Sequence, residues 1–230
     1  MQPAVINIFE KAVKKAGKIL LRDFGELENL QIQSKSVGDF VTNADIKVEK
    51  TLLETLKYYY PDYTYITEET GEIKGDENTI IIDPIDGTKE YIAGKDEYTL
   101  NAALVINKVP ILGLVGVPKK DRLFFSYAPG ESYLIEKNKT IKINCEKKQP
   151  KNKIVALSSV IKPSDIILNK LKEYNVTSIV KMASSYKFCV IATGEYDIYA
   201  ARERANEWDY AAGHAIAQNA GAIIKTLEEK

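Results

Sequence analysis

Two aspartates, Asp83 and Asp86, follow the apolar run "TIII" in the segment "IIDPIDGTKEY", with Gly87 and Thr88 immediately behind them. Pro84 lacks an amide hydrogen and restricts the residue before it, and Gly87 admits a positive φ, so a bend is expected between and after the acids. Such a bend turns both carboxylates and the carbonyl of Ile85 toward one point. Other acids occupy comparable places. Glu68 and Glu69 end the run "TYIT", Asp39 opens "DFVTNAD", which closes on Asp45, and Asp209 follows "ANEW" at the head of a helical pattern. Taken singly, Asp45 or Asp209 is explained as a surface charge or a helix cap. Gathered in one place, the acids cannot all stay ionised unless cations are there, so such a cluster implies either raised pKa values or bound metal. An oxygen-only ligand set without a His or Cys shell points to Mg²⁺, with Mn²⁺ or Ca²⁺ as competitors, and disfavours zinc. His214 lies roughly 140° around the helix axis from Asp209, so the two do not easily face one ion. As a lone histidine it reads as a packing or hydrogen-bonding residue.

The acids also adjoin an anchor for anions. Backbone amides at a helix start bind anions, and "GTKEYIAG" begins a helix-like stretch where the acids meet, so a phosphate can bridge cation and amides. Two Mg²⁺ ions about 4 Å apart can activate a water on one side and neutralise the leaving oxygen on the other. That is a two-metal route to in-line hydrolysis of a phosphate ester, and it requires no nucleophilic side chain.

The elements that must position these residues follow from periodicity. Val5, Ile6, Phe9, Val13, Ala16 and Leu20 recur at helical spacing and predict an amphipathic helix over residues 3 to 22. Asn43 is the expected cap of a second helix, whose stripe is Val48, Leu52, Leu53 and Leu56 and which Pro61 ends. "TYITEE" and "NTIIIDP" are the next strands. Residues 98 to 107, 111 to 117, 122 to 127 and 131 to 136 then read as an antiparallel meander, with turn chemistry in "NKVP", "PKKDR" and "APGE". From residue 153 strands and helices alternate, the strands being "KIVALSS", "VTSIV", "YDIYA" and "GAIIK". A soft boundary near residue 150 divides an N-terminal α+β half, 1–150, from a C-terminal α/β half, 151–230, the two forming one compact unit.

Composition excludes several classes. At 45% hydrophobic and 28% charged residues the chain is ordinary globular protein, and its apolar segments are too short to cross a bilayer. Thirty-two basic and thirty-two acidic residues cancel, so no global field recruits a nucleic-acid polymer or an anionic membrane. The densest basic run, "EKKQPKNK", reads as a solvated linker. The start lacks the pattern of a secretory signal, so a cytoplasmic location is expected. Cys145 and Cys189 are the only cysteines and lack metal-type spacing, which fits reduced, packed thiols.

The blocks "DFVTNAD", "EE" at 68–69, "DPIDGT" and "WDYAAG", in this order across nearly the whole chain, resemble the inositol monophosphatase superfamily of metal-dependent, lithium-sensitive phosphatases. The resemblance implies a layered α/β/α/β/α sugar-phosphatase fold, of mixed α/β class, with the site between the two halves. It implies two or three Mg²⁺ ions and inhibition by Li⁺. Glu68, Asp83 and the Ile85 carbonyl would hold the first ion, Asp83, Asp86 and Asp209 the second, and Glu68 would share a third. Thr88 would orient the attacking water, with Asp39 as its acidic partner and proton acceptor. The amides of Gly87 and Thr88 would hold the phosphate, with Asp209 also bordering the substrate. Glu69 carries no role in the motif. The implied partners are a small phosphorylated substrate and, as an allowed assembly, a second copy of the chain.

Within the superfamily, "DGTKEYIAGKDEYTLNAALV", "SSYKFCVIATGEYDIY" and "EWDYAAGHA" look most like the 3'(2'),5'-bisphosphate nucleotidases, which implies Ser184 and Lys187 as nucleotide contacts. Three departures stand out. Where such nucleotidases carry Ser-Arg-Ser-His this chain has "SSVI" at 158–161, and where they carry Tyr-Pro-Arg-Phe-Gly-Pro-Thr it has "YAARERA", so Arg202 or Arg204 would replace an arginine at the position of Ala201. The sequence also ends at "TLEEK", ahead of a usual Asn-Pro segment. Inositol or another sugar monophosphate is therefore the alternative substrate. A non-catalytic interaction or RNA-associated module that keeps the fold is the alternative of another class, against which the retained acids argue, because unneeded like charges cost stability.

Overall fold

The first apolar stripe is buried along helix α1 (Ala4–Leu30), which runs past the expected end at residue 22. The computed structural model describes residues 3–30, 37–145, 153–201 and 205–226, and for 25–30 and 37–42 the backbone alone. The longer helix has a cause in its side chains. Phe24 continues the stripe a turn beyond Leu20 and packs on Tyr91 and Tyr98, with ring centroids 5.5 and 5.6 Å away. Buried Asp23 is paired with Arg22 at 2.8 Å and with Lys47 of the next helix at 3.4 Å. Helix α2 (Val37–Tyr59) begins upstream of Asn43, the residue expected to cap it. Ala44, directly after Asn43, is already buried within the helix.

Both helices cover one face of an eight-stranded sheet in the order β2-β1-β3-β4-β5-β6-β7-β8. Its strands are β1 (Thr64–Thr67), β2 (Gly71–Ile73), β3 (Thr79–Asp86), β4 (Thr99–Ile106), β5 (Val109–Val117), β6 (Arg122–Ala128), β7 (Glu131–Glu136) and β8 (Lys139–Ile143). β1 and β3 run parallel, while β4 through β7 form the expected antiparallel meander, which β3 and β8 extend on either side. The short helix α3 (Thr88–Ile92) follows β3 directly. Strands β2 and β8 are additions to the expected set. β8 is mostly exposed and so shows no apolar alternation, but the Lys137–Asn138 turn before it has φ of 50° and 59°, as a tight hairpin requires.

A second sheet, order β10-β9-β11, is parallel throughout and consists of β9 (Ile154–Ser158), β10 (Val176–Lys181) and β11 (Ile198–Tyr199). Helices α4 (Asp165–Glu173), α5 (Tyr186–Ala192) and α6 (Glu207–Asn219) complete the chain. The expected strand "GAIIK" does not form. The amide of Ala222 closes back on Ala217 at the helix end, and Ile223 is 84% exposed, so these β-branched residues have no sheet edge to fill.

The packing defines five layers, in agreement with the expected fold class. α1 and α2 lie on one face of the large sheet, α5 and α6 on the other, the small sheet behind them, and α4 outermost on that sheet. α6 lies unusually close to β5. A Cβ at Gly113 would stand 2.2 Å from the carbonyl oxygen of Ala212, so only glycine lets the helix rest there. No helix among the described residues is long and apolar enough to cross a membrane. Cys145 and Cys189 are both free thiols.

Candidate functional site

Residues at odd separation on a strand normally face opposite sides of a sheet, so a regular β3 would point Asp83 and Asp86 apart. The ladder shifts between them: Asp83 is opposite Asn101 and Asp86 is opposite Thr99, which gives β3 one extra residue, a bulge at Pro84–Ile85. Both aspartates thereby face the layer that holds α5 and α6. Gly87 then turns the chain at φ 90°, and the Thr88 hydroxyl donates to the Ile85 carbonyl at 3.0 Å. The bend expected from Pro84 and Gly87 is thus a bulge followed by a left-handed turn.

Asp209 arrives from the first turn of α6, where its carboxylate accepts the Asn206 amide at 2.7 Å. It serves as a helix cap and as a member of the acidic group at once. Carboxylate oxygens of Asp83, Asp86 and Asp209 lie within 4.8 Å of one another, a grouping that could hold a metal ion. Ser185 fixes two of the three. Its amide donates to Asp86 at 2.5 Å and its hydroxyl to the Asp209 carbonyl at 2.6 Å, while Asn101 donates to the Ser185 hydroxyl at 3.0 Å.

Asp83 carries the clearest sign of a missing partner. It is 1% exposed, and among the described residues neither carboxylate oxygen has a donor. Its neighbour is the Glu68 carboxylate, which can satisfy it only through a shared proton or a cation between them. Burial, then Asp86 and Glu68, push the Asp83 carboxyl well above its ordinary range. Burial likewise raises Asp86, Glu68 and Asp209, with Lys187 the largest opposing influence on Asp86. Buried carboxylates of this kind fit a hard cation with oxygen donors, and His214 stays apart, bonded to Gln218 with its pKa lowered by burial.

A second group of acids supports the first. Glu49 on α2 is buried and accepts the amides of Glu69 and Thr70 at 2.9 and 3.0 Å and the Thr70 hydroxyl, which pins the turn that carries Glu68. Asp45, one helical turn before Glu49, is pushed up to about 8 by burial and then by Glu69, Glu68 and Glu49. Glu49 did not emerge from the sequence reading, and Asp45 emerged only as a surface or cap residue. The signal for both was their spacing of four, which places two acids on one helix face.

On the α5 side, Ser184 has φ 53° and donates its hydroxyl to the Glu97 carbonyl at 2.7 Å. Its Cβ is 3.4 Å from where a Gly87 Cβ would be, so the two turns are in contact. Lys187 is 5% exposed, donates to the Ser184 carbonyl, and lies 5.2 Å from the centroid of the Tyr199 ring. The structure therefore brings together Glu68, Asp83, the Ile85 carbonyl, Asp86, Gly87, Thr88, Ser184, Lys187 and Asp209. The side chain of Asp39, Arg202, Arg204 and the run 146–152 lie outside the described residues.

Acids gathered at a sheet bulge beside a left-handed turn, in this layered frame, fit a phosphatase, the class that the family match and the relatives below indicate. The chain belongs to the inositol monophosphatase family, whose model matches residues 1–230. It is 31% identical over 221 residues to the 3'(2'),5'-bisphosphate nucleotidase CysQ of Escherichia coli K12, covering 94% of this chain and 88% of the relative. It is 32% identical over 235 residues to an inositol-1-monophosphatase of Caulobacter vibrioides, covering 95% and 88%. A Nus factor SuhB of Haemophilus influenzae is 26% identical over 231 residues, covering 96% and 84%. The crystal structure of CysQ from Bacteroides thetaiotaomicron, described as a bacterial member of the same family, superposes with a TM-score of 0.78 at 27% identity, covering 93% of this chain and 85% of that one.

Proposed function

We propose that this phosphatase is a Mg²⁺-dependent 3'(2'),5'-bisphosphate nucleotidase that converts adenosine 3',5'-bisphosphate to AMP and phosphate. The observation that carries the metal dependence is the Asp83 carboxylate, buried without a donor among acids that could hold a cation. Glu68, Asp83, the Ile85 carbonyl, Asp86 and Asp209 would hold two or three divalent cations, Mg²⁺ or Mn²⁺, with Li⁺ as inhibitor. Bound there, such cations would offset the charge on the phosphoryl oxygens and make water a stronger nucleophile.

This chain's own residues do the rest. The Thr88 hydroxyl, aligned by the Ile85 carbonyl, orients the attacking water, and the Gly87 and Thr88 amides hold the phosphate. Asp39 is the proton acceptor by resemblance. Lys187 and Ser184 border the distal part of the substrate. Because the acids come from both sides of residue 150, the halves 1–150 and 151–230 act as one unit, which we place in the cytoplasm.

The similarity to the Escherichia coli nucleotidase and the buried Lys187 beside the acids favour a bisphosphate. Hydrolysis of inositol 1-phosphate is the second reading. It is favoured by the Caulobacter relative and by exposed Val160 and Ile161, which put apolar side chains just past the carboxyl end of β9. The Haemophilus relative's name keeps an RNA-associated role as the reading of another class. Phosphate release with Mg²⁺ from adenosine 3',5'-bisphosphate, inositol 1-phosphate and fructose 1,6-bisphosphate, with and without Li⁺, tests all three. A higher kcat/KM for the adenosine compound is expected, and a ratio that favours inositol phosphate overturns the nucleotidase reading.

A further inference from the structure

A lysine ammonium in a buried position is expensive unless negative charge stands near it. Lys187 is buried on α5, and the charges that favour its ionised form are, in order, Asp86, Glu90, Glu97 and Asp209. Among the described residues its ammonium donates to the Ser184 carbonyl rather than to a carboxylate, and it lies over the Tyr199 ring, a further site that favours a cation. In the other direction, Lys187 is the strongest influence that keeps Asp86 ionised, and it acts on Asp209 as well. One peptide unit joins the two: the Ser184 carbonyl accepts from the Lys187 ammonium and the Ser185 amide donates to Asp86, so the lysine stands a single peptide away from the acids.

We propose that Lys187 is the resident counter-cation of the Asp86–Asp209 side of the cluster, and that it weakens divalent-cation binding there until an anionic substrate group is present. The proposal rests on the metal-dependent reading above. An arriving divalent cation has the same sign as the ammonium and meets it across low-dielectric protein, so the lysine lowers cation affinity. Once cations fill the acids, the field of Asp86 and Asp209 no longer holds the ammonium, whose charge then favours an anion at the Ser184 turn. Cation and anionic substrate consequently bind with positive coupling, which is reciprocal by necessity. A lysine that only contacts substrate would leave cation affinity in the free protein unchanged.

The test is calorimetric titration of Mg²⁺ and Mn²⁺ into the full chain stripped with EDTA, first alone and then with inorganic phosphate. Lys187→Met is expected to bind the cation about tenfold more tightly than wild type without phosphate, and to lose most of the gain that phosphate confers. Lys187→Arg, which keeps the charge, should resemble wild type. If Lys187→Met does not fold, Lys187→Gln, which retains a donor for the Ser184 carbonyl, carries the same expectation. Equal or weaker cation binding in the neutral variants overturns the proposal alone. Failure of wild type and neutral variants alike to take up either cation, with phosphate present as well as without it, overturns both this proposal and the metal-dependent reading.

Discussion

The backbone amide of Ser185 donates to the carboxylate of Asp86 at 2.5 Å, and the hydroxyl of the same serine donates to the Asp209 carbonyl. One residue, at the N-cap of α5, thus joins the bulged end of β3 to the first turn of α6. Partners of this kind fix the orientation of groups that hold a metal, and their loss commonly weakens binding by about tenfold to a hundredfold. Ser185→Ala keeps the amide bond and removes the hydroxyl bond. Its apparent Mg²⁺ affinity, read from activity against Mg²⁺ concentration, is expected to fall by about tenfold. An unchanged Mg²⁺ dependence would assign the hydroxyl to packing alone.

Asp86→Asn preserves shape and removes charge. Activity is expected to drop by more than about a hundredfold and to recover little at high Mg²⁺. Steady-state kinetics over a Mg²⁺ series checks it, and near-normal turnover would contradict the assignment of Asp86.

Asp83 offers the matching experiment on stability. Its buried carboxyl lacks a donor among the described residues and stands beside Asp86, Glu68 and Asp209, so the metal-free protein carries repulsion that serves function rather than folding. Asp83→Asn is expected to raise the Tm of the EDTA-treated protein at pH 8 by ~2–4 °C, the shift for about 1 kcal/mol in a chain of this size. It should also abolish the stabilisation conferred by Mg²⁺. In wild type, cation at a hundred times its Kd should add about 2.7 kcal/mol. Thermal unfolding with EDTA and with Mg²⁺ reads both effects.

Gly113→Ala probes how α6 is seated. The added Cβ would meet backbone, the Ala212 carbonyl oxygen at 2.2 Å, so the helix must move rather than a side chain rotate. A loss of ~1–3 kcal/mol is expected from overpacking, together with reduced activity, because the same helix delivers Asp209. Urea unfolding and kinetics on one preparation measure the pair; full activity would mean that Asp209 tolerates the shift.

The sequence displayed the acids more clearly than the geometry that unites them. Pro84 and Gly87 announce a bend, but the bulge that puts Asp83 and Asp86 on one face depends on pairing with Asn101 and Thr99, which no local pattern encodes. Placing the start of α2 at Asn43 made Asp45 resemble a first-turn acid and hid its alignment with Glu49. "GAIIK" has strand composition, yet composition makes a strand only where an edge awaits it. A lysine in a helical pattern is by itself expected to be solvated, whereas the fold buries Lys187 against Tyr199 of β11.

Away from the site, Glu131 gives a pH dependence whose sign is fixed by its partners. Its carboxylate accepts from Lys142 at 2.7 Å and from the phenols of Tyr127 and Tyr133. These bonds, Lys142 and Tyr133 foremost, hold its pKa down from 4.5 to about 2. A carboxyl with a depressed folded-state value binds fewer protons folded than unfolded, so its stabilisation is present above the unfolded value. It disappears as pH falls from 4.5 toward 2. Wild type should therefore exceed Glu131→Gln in stability at pH 6 and match it near the lower of these values. Because the group is exposed, high salt should shrink the difference. Denaturant melts of both proteins across this range, at low and high salt, provide the check. A gap that persists in acid would mean that Glu131 stabilises the β7–β8 hairpin through packing rather than charge.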